Sequence, residues 1–128
     1  MGCSCSPQQL DRYRERLSRA LLDRFDLVVA LPRPRASELE APPAEPSGDV
    51  QARVVAGRTA LVEPPELGRE AEALLGRAVE RLPLSGRGRA RVARVARTIA
   101  ALATADRVAA EHLAEALSYR SPAELSVR

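Results

Sequence analysis

Ser85-Gly86-Arg87-Gly88-Arg89-Ala90-Arg91-Val92-Ala93-Arg94-Val95-Ala96-Arg97 carries two patterns at once. At about 100° per residue, Val92 and Val95 continue through Ile99 and Leu102 as one apolar stripe of a helix. Arg87, Arg91 and Arg94 fall on a second stripe, roughly 90° away. Ser85 stands where an N-cap side chain is wanted. Apolar residues at helical spacing form a core, so the segment predicts a helical bundle, with partners on either side.

The flanking chain supplies those partners. Leu67, Ala71, Leu74, Ala78 and Leu82 mark a helix that ends at Pro83, and Pro64-Pro65 separate it from what precedes. Ser47 is placed to cap a helix carrying Val50, Val54, Gly57 and Leu61. Thr104 is placed to cap a last helix through about Tyr119, with Val108, Leu113, Ala116 and Leu117 inward. Residues 47–120 therefore read as a four-helix bundle and 121–128 as a tail.

Further upstream the character changes. Residues 32–46 hold five of the ten prolines among Ala, Glu and Ser, the composition of a linker. Ser6-Pro7-Gln8-Gln9 is a helix start, with Ser as N-cap, Pro at N1 and Gln closing a capping box. Leu10, Tyr13, Leu17 and Leu21 continue that helix to about Asp23. Phe25 to Leu31 then reads as a strand buried on both faces, as in a parallel sheet. No second convincing strand is legible, and one strand cannot satisfy its own backbone groups. Residues 1–31 thus read as the end of a larger domain. The expected fold class is mainly α: one helix and an orphan buried strand, then a Pro-rich linker, then the bundle.

Composition limits the chemistry. A chain of 128 residues makes one small domain, and 2% aromatics leave the core to Leu, Val and Ala. All 20 residues counted as Lys+Arg are arginine, a bias that GC-rich coding explains. Without lysine there is no P-loop, whose ammonium sits on the β- and γ-phosphates, and no Schiff base. The longest apolar run, Leu27 to Leu31, is too short to span a bilayer, and no basic start leads into an apolar region, so neither membrane nor secretion is expected. Two cysteines within three residues cannot staple a fold, and a reducing cytoplasm is the simplest home. Met1-Gly2 with Ser6 fits an N-myristoylation pattern, and Cys3 and Cys5 could be palmitoylated, form half of a soft-metal site, or mark a beginning that lies upstream.

The arginines carry the sharper signals. Arg24 lies in Leu21-Leu22-Asp23-Arg24-Phe25-Asp26-Leu27, where a helix end meets the expected strand, and a cation there simply favours the macrodipole. Arg87 lies in a helical first turn, where free N–H groups and the dipole attract anions. With Arg91 and Arg94 it makes either a solvated basic face or a phosphate contact, on ATP or on nucleic acid, and spacing alone does not choose.

Several segments taken together resemble one family. Cys3-Ser4-Cys5-Ser6, then Tyr13-Arg14 and Arg16-Leu17-Ser18, then Leu21 to Leu27 are similar to part of the magnesium-chelatase-like AAA+ ATPases of the ComM/YifB type. Leu84-Ser85-Gly86-Arg87, Arg94-Val95-Ala96-Arg97-Thr98-Ile99-Ala100 and His112 through Arg120 resemble that family's C-terminal helical lid. The resemblance implies that the chain begins deep inside the family's pattern, after the P-loop, Walker B and sensor 1. It implies that Arg24 is an arginine finger acting in trans on a neighbouring subunit's γ-phosphate. Arg87 is implied as the sensor 2 arginine, with Arg91 and Arg94 as weaker nucleotide contacts. Cys3 and Cys5 match half of a four-cysteine pattern, leaving a zinc site incomplete, so no metal is expected. His112 reads as a surface or packing histidine.

The resemblance further implies AAA+ subunits of the same family as partners, arranged as a hexameric ring. ATP and Mg2+ would be held only by a full-length relative or an assembly, and the work would be done on DNA in recombination, branch migration and natural transformation. The isolated chain is expected to be no ATPase. There are departures: Arg19-Ala20 stands where the family has Gly-Pro, Ala101 replaces an expected aspartate, and the stretch before Ser85 is short. Two alternatives stay open. One is a small arginine-rich helical module binding nucleic acid electrostatically; the other is the tail of a true magnesium chelatase ATPase subunit.

Overall fold

Ser6 begins the first helix by the device its sequence announces. Its N–H donates to Gln9 Oε1 at 2.8 Å, and Gln9 N–H donates back to Ser6 Oγ at 3.3 Å. The structure, a computed structural model, describes residues 4–16, 18, 21, 24–42, 45–82 and 84–120. Among them are six helices and one pair of very short parallel strands, so the fold is mainly α. In chain order they are α1 (Pro7–Glu15), α2 (Ala36–Glu40), α3 (Ser47–Ala60), β1 (Glu66–Leu67), α4 (Arg69–Arg81), α5 (Gly86–Leu102), β2 (Arg107–Val108) and α6 (Ala110–Ser118).

The core lies where α4, α5 and α6 meet. Ala71 and Leu75 from α4, Val92, Val95, Ala96 and Ala100 from α5, and Leu113 and Ala116 from α6 are buried in one cluster. Small alanines on α5 let the helices approach closely, and Leu75, Val92, Val108 and Leu113 are the largest side chains completely enclosed. As composition required, no aromatic residue is buried among the described residues.

The strand pair closes one end of this core. Glu66 pairs with Arg107 and Leu67 with Val108, in parallel, and Gly68 N–H donates to Val108 O at 2.9 Å. Leu67 and Val108 were expected inside helices. Both do turn inward, but from extended backbone immediately ahead of α4 and α6.

Of the later helix starts, one agrees with expectation and two depart. Ser85 caps α5, its Oγ accepting from Gly88 N–H at 3.1 Å. Ser47 is the first residue inside α3 rather than its cap, because Pro46 holds the extended N-cap backbone. Thr104 caps nothing: it follows the end of α5 with φ 53°, in the left-handed region, whereas an N-cap residue is extended. The N-cap of α6 is Ala109, which has no capping side chain, and its N–H donates instead to His112 Nδ1 at 3.1 Å.

Helix α3 joins the bundle by a narrow seat. Its one buried residue is Gly57, set against Leu102 of α5, while Val50, Val54 and Val55 remain exposed. Arg53, within α3, forms a two-pronged ion pair with Glu45 ahead of the helix. The Pro-rich stretch is also not wholly irregular, since α2 forms within it; Arg35 N–H donates to Glu38 Oε2 at 2.7 Å and so satisfies a helix-start donor.

The upstream segment needs two corrections. α1 ends at Glu15, well before Asp23, and Leu17, Leu22 and Asp23 lie outside the described residues. Residues 25–31 form no ladder with any described strand, and Phe25, Leu27, Val29 and Leu31 are exposed rather than buried on both faces. The backbone is anchored differently: Val28 N–H donates to Tyr119 O at 2.9 Å, and Phe25 O accepts from Arg120 Nη1 at 2.8 Å. A segment without a sheet partner has used the end of α6 for its hydrogen bonds.

Candidate functional site

The four arginines singled out by sequence occupy four different environments. Arg87 is exposed, in the first turn of α5. Ser85 takes the Gly88 amide, while the amides of Gly86 and Arg87 have no intrahelical carbonyl behind them. Together with the dipole, these make the start of α5 attractive to an anion, and Arg87 belongs to that first turn without an ion pair among the described residues.

Arg91 faces elsewhere. Its Nε lies 3.6 Å from Asp26 Oδ1, with the side chains 21% and 45% exposed. Its Nη1 is buried and has no hydrogen-bond partner among the described residues. A guanidinium held against a carboxylate in this way is already committed to a protein contact. Arg94 is exposed, and its carbonyl accepts from Thr98 Oγ1 at 3.2 Å.

Arg24 is exposed at a turn where its N–H donates to Leu21 O at 2.9 Å. The very next residue, Phe25, is gripped by Arg120. A Cβ added at Gly88 would lie 3.6 Å from Arg120 Nη2, so the same guanidinium also lies beside the first turn of α5. Arg120 thus connects the chain next to Arg24 with the helix start that carries Arg87. Sequence reading missed Arg120 as a site residue, although it closes the His112-to-Arg120 segment on which the resemblance rests.

The remaining candidates are quieter. His112 is 8% exposed, accepts from the Ala109 N–H, and has Nε2 3.8 Å from Glu111 Oε1. It packs and caps α6. Cys5 is exposed and free, and Met1, Gly2 and Cys3 lie outside the described residues. Among the described residues, no group of three or more His, Cys, Asp or Glu is placed to hold a metal ion, and no helix is long and apolar enough to cross a membrane. Ala101, which stands where the resemblance expects aspartate, is buried and forms part of an open groove, about 690 Å³, between the end of α3 and the α5–β2 connection.

A small helical bundle whose central helix begins with an anion-attracting turn, joined to an upstream arginine segment, defines a class rather than an individual. Comparison with known proteins identifies the class. The family described as magnesium chelatase, subunit ChlI C-terminal, matches residues 44–120, and that described as magnesium chelatase, subunit ChlI, matches residues 1–39. The chain belongs to this magnesium-chelatase-like family, in its ComM/YifB branch. It is 37% identical to the uncharacterized protein YifB of Escherichia coli K12 over 91% of its length, and 36% identical to YifB of Salmonella typhimurium LT2 over 91%. It is 35% identical to the competence protein ComM of Haemophilus influenzae Rd over 94%. In each case the match covers 27% of the relative.

Proposed function

We propose that the chain supplies the end of an AAA+ ATPase core and its helical lid, and that its arginines complete nucleotide sites in an assembly of same-family subunits. In this reading Arg24 reaches a neighbouring subunit's γ-phosphate and Arg87 contacts the nucleotide held by its own subunit. ATP and Mg2+ are bound by the assembly, because the chain itself has no lysine for a P-loop. The work of the assembly is on DNA, a proposal consistent with the name of the ComM relative as a competence protein.

The observation that carries this reading is the setting of Arg87. It stands exposed at a capped helix N-terminus inside the residues matched to the ChlI C-terminal family. An arginine in a helical first turn with two free amides suits the developing charge of a transferred phosphoryl group. Arg91 takes a lesser part, because Asp26 already engages it.

The test is a chimera in which this chain replaces the aligned portion of YifB from Escherichia coli. The isolated chain should release no phosphate from ATP, whereas the chimera should. In the chimera Arg87→Ala and Arg24→Ala should each lower turnover by about tenfold or more, as expected for losing a positioned charge, and Arg94→Ala should do less. If Arg87→Ala and Arg94→Ala weaken DNA binding alike, with equal changes in salt slope and turnover untouched, the chain is an electrostatic nucleic-acid module instead.

A further inference from the structure

Three contacts converge on residues 25–28. Arg120 Nη1 donates to Phe25 O at 2.8 Å, across 95 positions of sequence. Arg91 Nε faces Asp26 Oδ1 at 3.6 Å. Val28 N–H donates to Tyr119 O at 2.9 Å. On the other side of Arg24, its own N–H is held by Leu21 O. The exposed arginine is therefore bracketed by a turn before it and a clasp after it. The clasp is built on α5 and the end of α6, not on any sheet.

We infer that Arg120 is a positioning residue: with Arg91 and the Tyr119 carbonyl it fixes the Arg24 segment against the start of α5, and so sets where Arg24 stands relative to Arg87. The chemistry suits the task. A guanidinium presents five donors in a rigid fork, so one side chain can serve the Phe25 carbonyl while lying against the Gly88 turn. Arg120 rests against that turn: a Cβ built at Gly88 would stand in ordinary van der Waals contact with Arg120 Nη2, at 3.6 Å. Arg91 adds a charge contact two positions from Arg24, in a partly buried place where such contacts are screened less than on open surface. The positioning role rests on the finger reading of Arg24; the clasp as a contact does not.

The experiment has two arms. In the full chain, amide exchange is followed at Val28, with Leu113 as the core reference. Val28 should exchange about tenfold or more slowly than an open amide, and Arg120→Ala should remove that protection while Leu113 stays slow. Arg91→Ala should weaken it in the same direction. An unprotected Val28 in the parent chain, or one indifferent to Arg120→Ala, overturns the clasp whatever Arg24 does.

In the YifB chimera, Arg120→Ala should lower kcat about tenfold with KM for ATP little changed, and Arg120→Lys, which still donates to a carbonyl, should recover most of it. If Leu113 exchange rises together with the loss of kcat, Arg120 is merely structural and the positioning role is overturned. If Arg24→Ala leaves kcat unchanged while Val28 still responds to Arg120→Ala, the finger reading falls and the positioning role with it, while the clasp stands.

Discussion

Gly57 and Gly76 offer a matched pair of substitutions that tests how α3 is attached. Both lie in helix interiors, where glycine costs about 1 kcal/mol relative to alanine. At Gly76 an added Cβ meets nothing within 4 Å, so Gly76→Ala should stabilise the protein by about 1 kcal/mol. At Gly57 the same Cβ would lie 2.8 Å from Leu102 Cδ2, 3.4 Å from Cγ and 3.8 Å from Cα. Leu102 is 39% exposed, so its methyl can swing aside, at about 0.5–1.5 kcal/mol for an off-rotamer side chain. Its Cα, at 3.8 Å, is already at ordinary van der Waals distance, so the cost falls on the leucine side chain and the helices need not separate. The helical gain is offset, so Gly57→Ala should be neutral to within about 0.5 kcal/mol either way, the difference of those terms. Urea unfolding of both variants measures the contrast, and in a domain this small each kcal/mol moves Tm by about 4–8 °C. Equal stabilisation by the two substitutions would refute the seating of α3 on Leu102.

Other outcomes follow from the core, the caps and one phenol. Leu113→Ala removes a completely enclosed side chain and should cost about 2–5 kcal/mol in urea titration. Ser85→Ala deletes the α5 cap and should cost about 1 kcal/mol, with helical circular dichroism nearly unchanged below the transition. His112→Ala leaves the Ala109 amide unpaired and opens space in the α6 packing, whereas His112→Gln can reach back from the same helical position; the first should unfold at lower urea than the second. The Tyr119 hydroxyl donates to Glu115 Oε1 at 2.9 Å, and that hydrogen bond, then the carboxylate charge, raises its pKa above the ordinary phenol value. The folded state thus holds this proton more tightly than the unfolded one, so the contribution is present at neutral pH and is lost as pH climbs through the raised value. In a Tyr13→Phe background, Glu115→Gln should bring the ultraviolet titration midpoint back down.

What the sequence disclosed was local. The Ser6 capping box and the Ser85 cap each depend on residues three positions apart, and both formed as written. The buried positions of α5 and α6 follow the helical period, so Val92, Val95, Leu113 and Ala116 were legible. The misplacements fall where distant backbone decides. Two-residue strands carry too little pattern to announce themselves, so Leu67 and Val108 were absorbed into helices that begin after them. Thr104 looked like a cap by residue type, but its left-handed backbone ends one helix instead of starting another. Phe25 to Leu31 had the composition of a buried strand, yet its hydrogen bonds go to Tyr119 and Arg120, which no local pattern could indicate. A neighbouring long-range contact sets Arg91 apart: helical spacing grouped it with Arg87, but its Nε faces Asp26.

The β1–β2 pair has a mechanical consequence out of proportion to its size. Each strand runs straight into a helix, β1 into α4 and β2 into α6, with one residue between. Because the strands are parallel and in fixed register, axial sliding of α4 past α6 would shear every rung at once and carry Leu67 and Val108 out of the core. The two helices therefore travel as a single strut. A displacement delivered at Pro64-Pro65 would be carried along that strut to Tyr119, whose carbonyl holds Val28. Movement at one end of the bundle is thereby geared to the chain that bears Arg24.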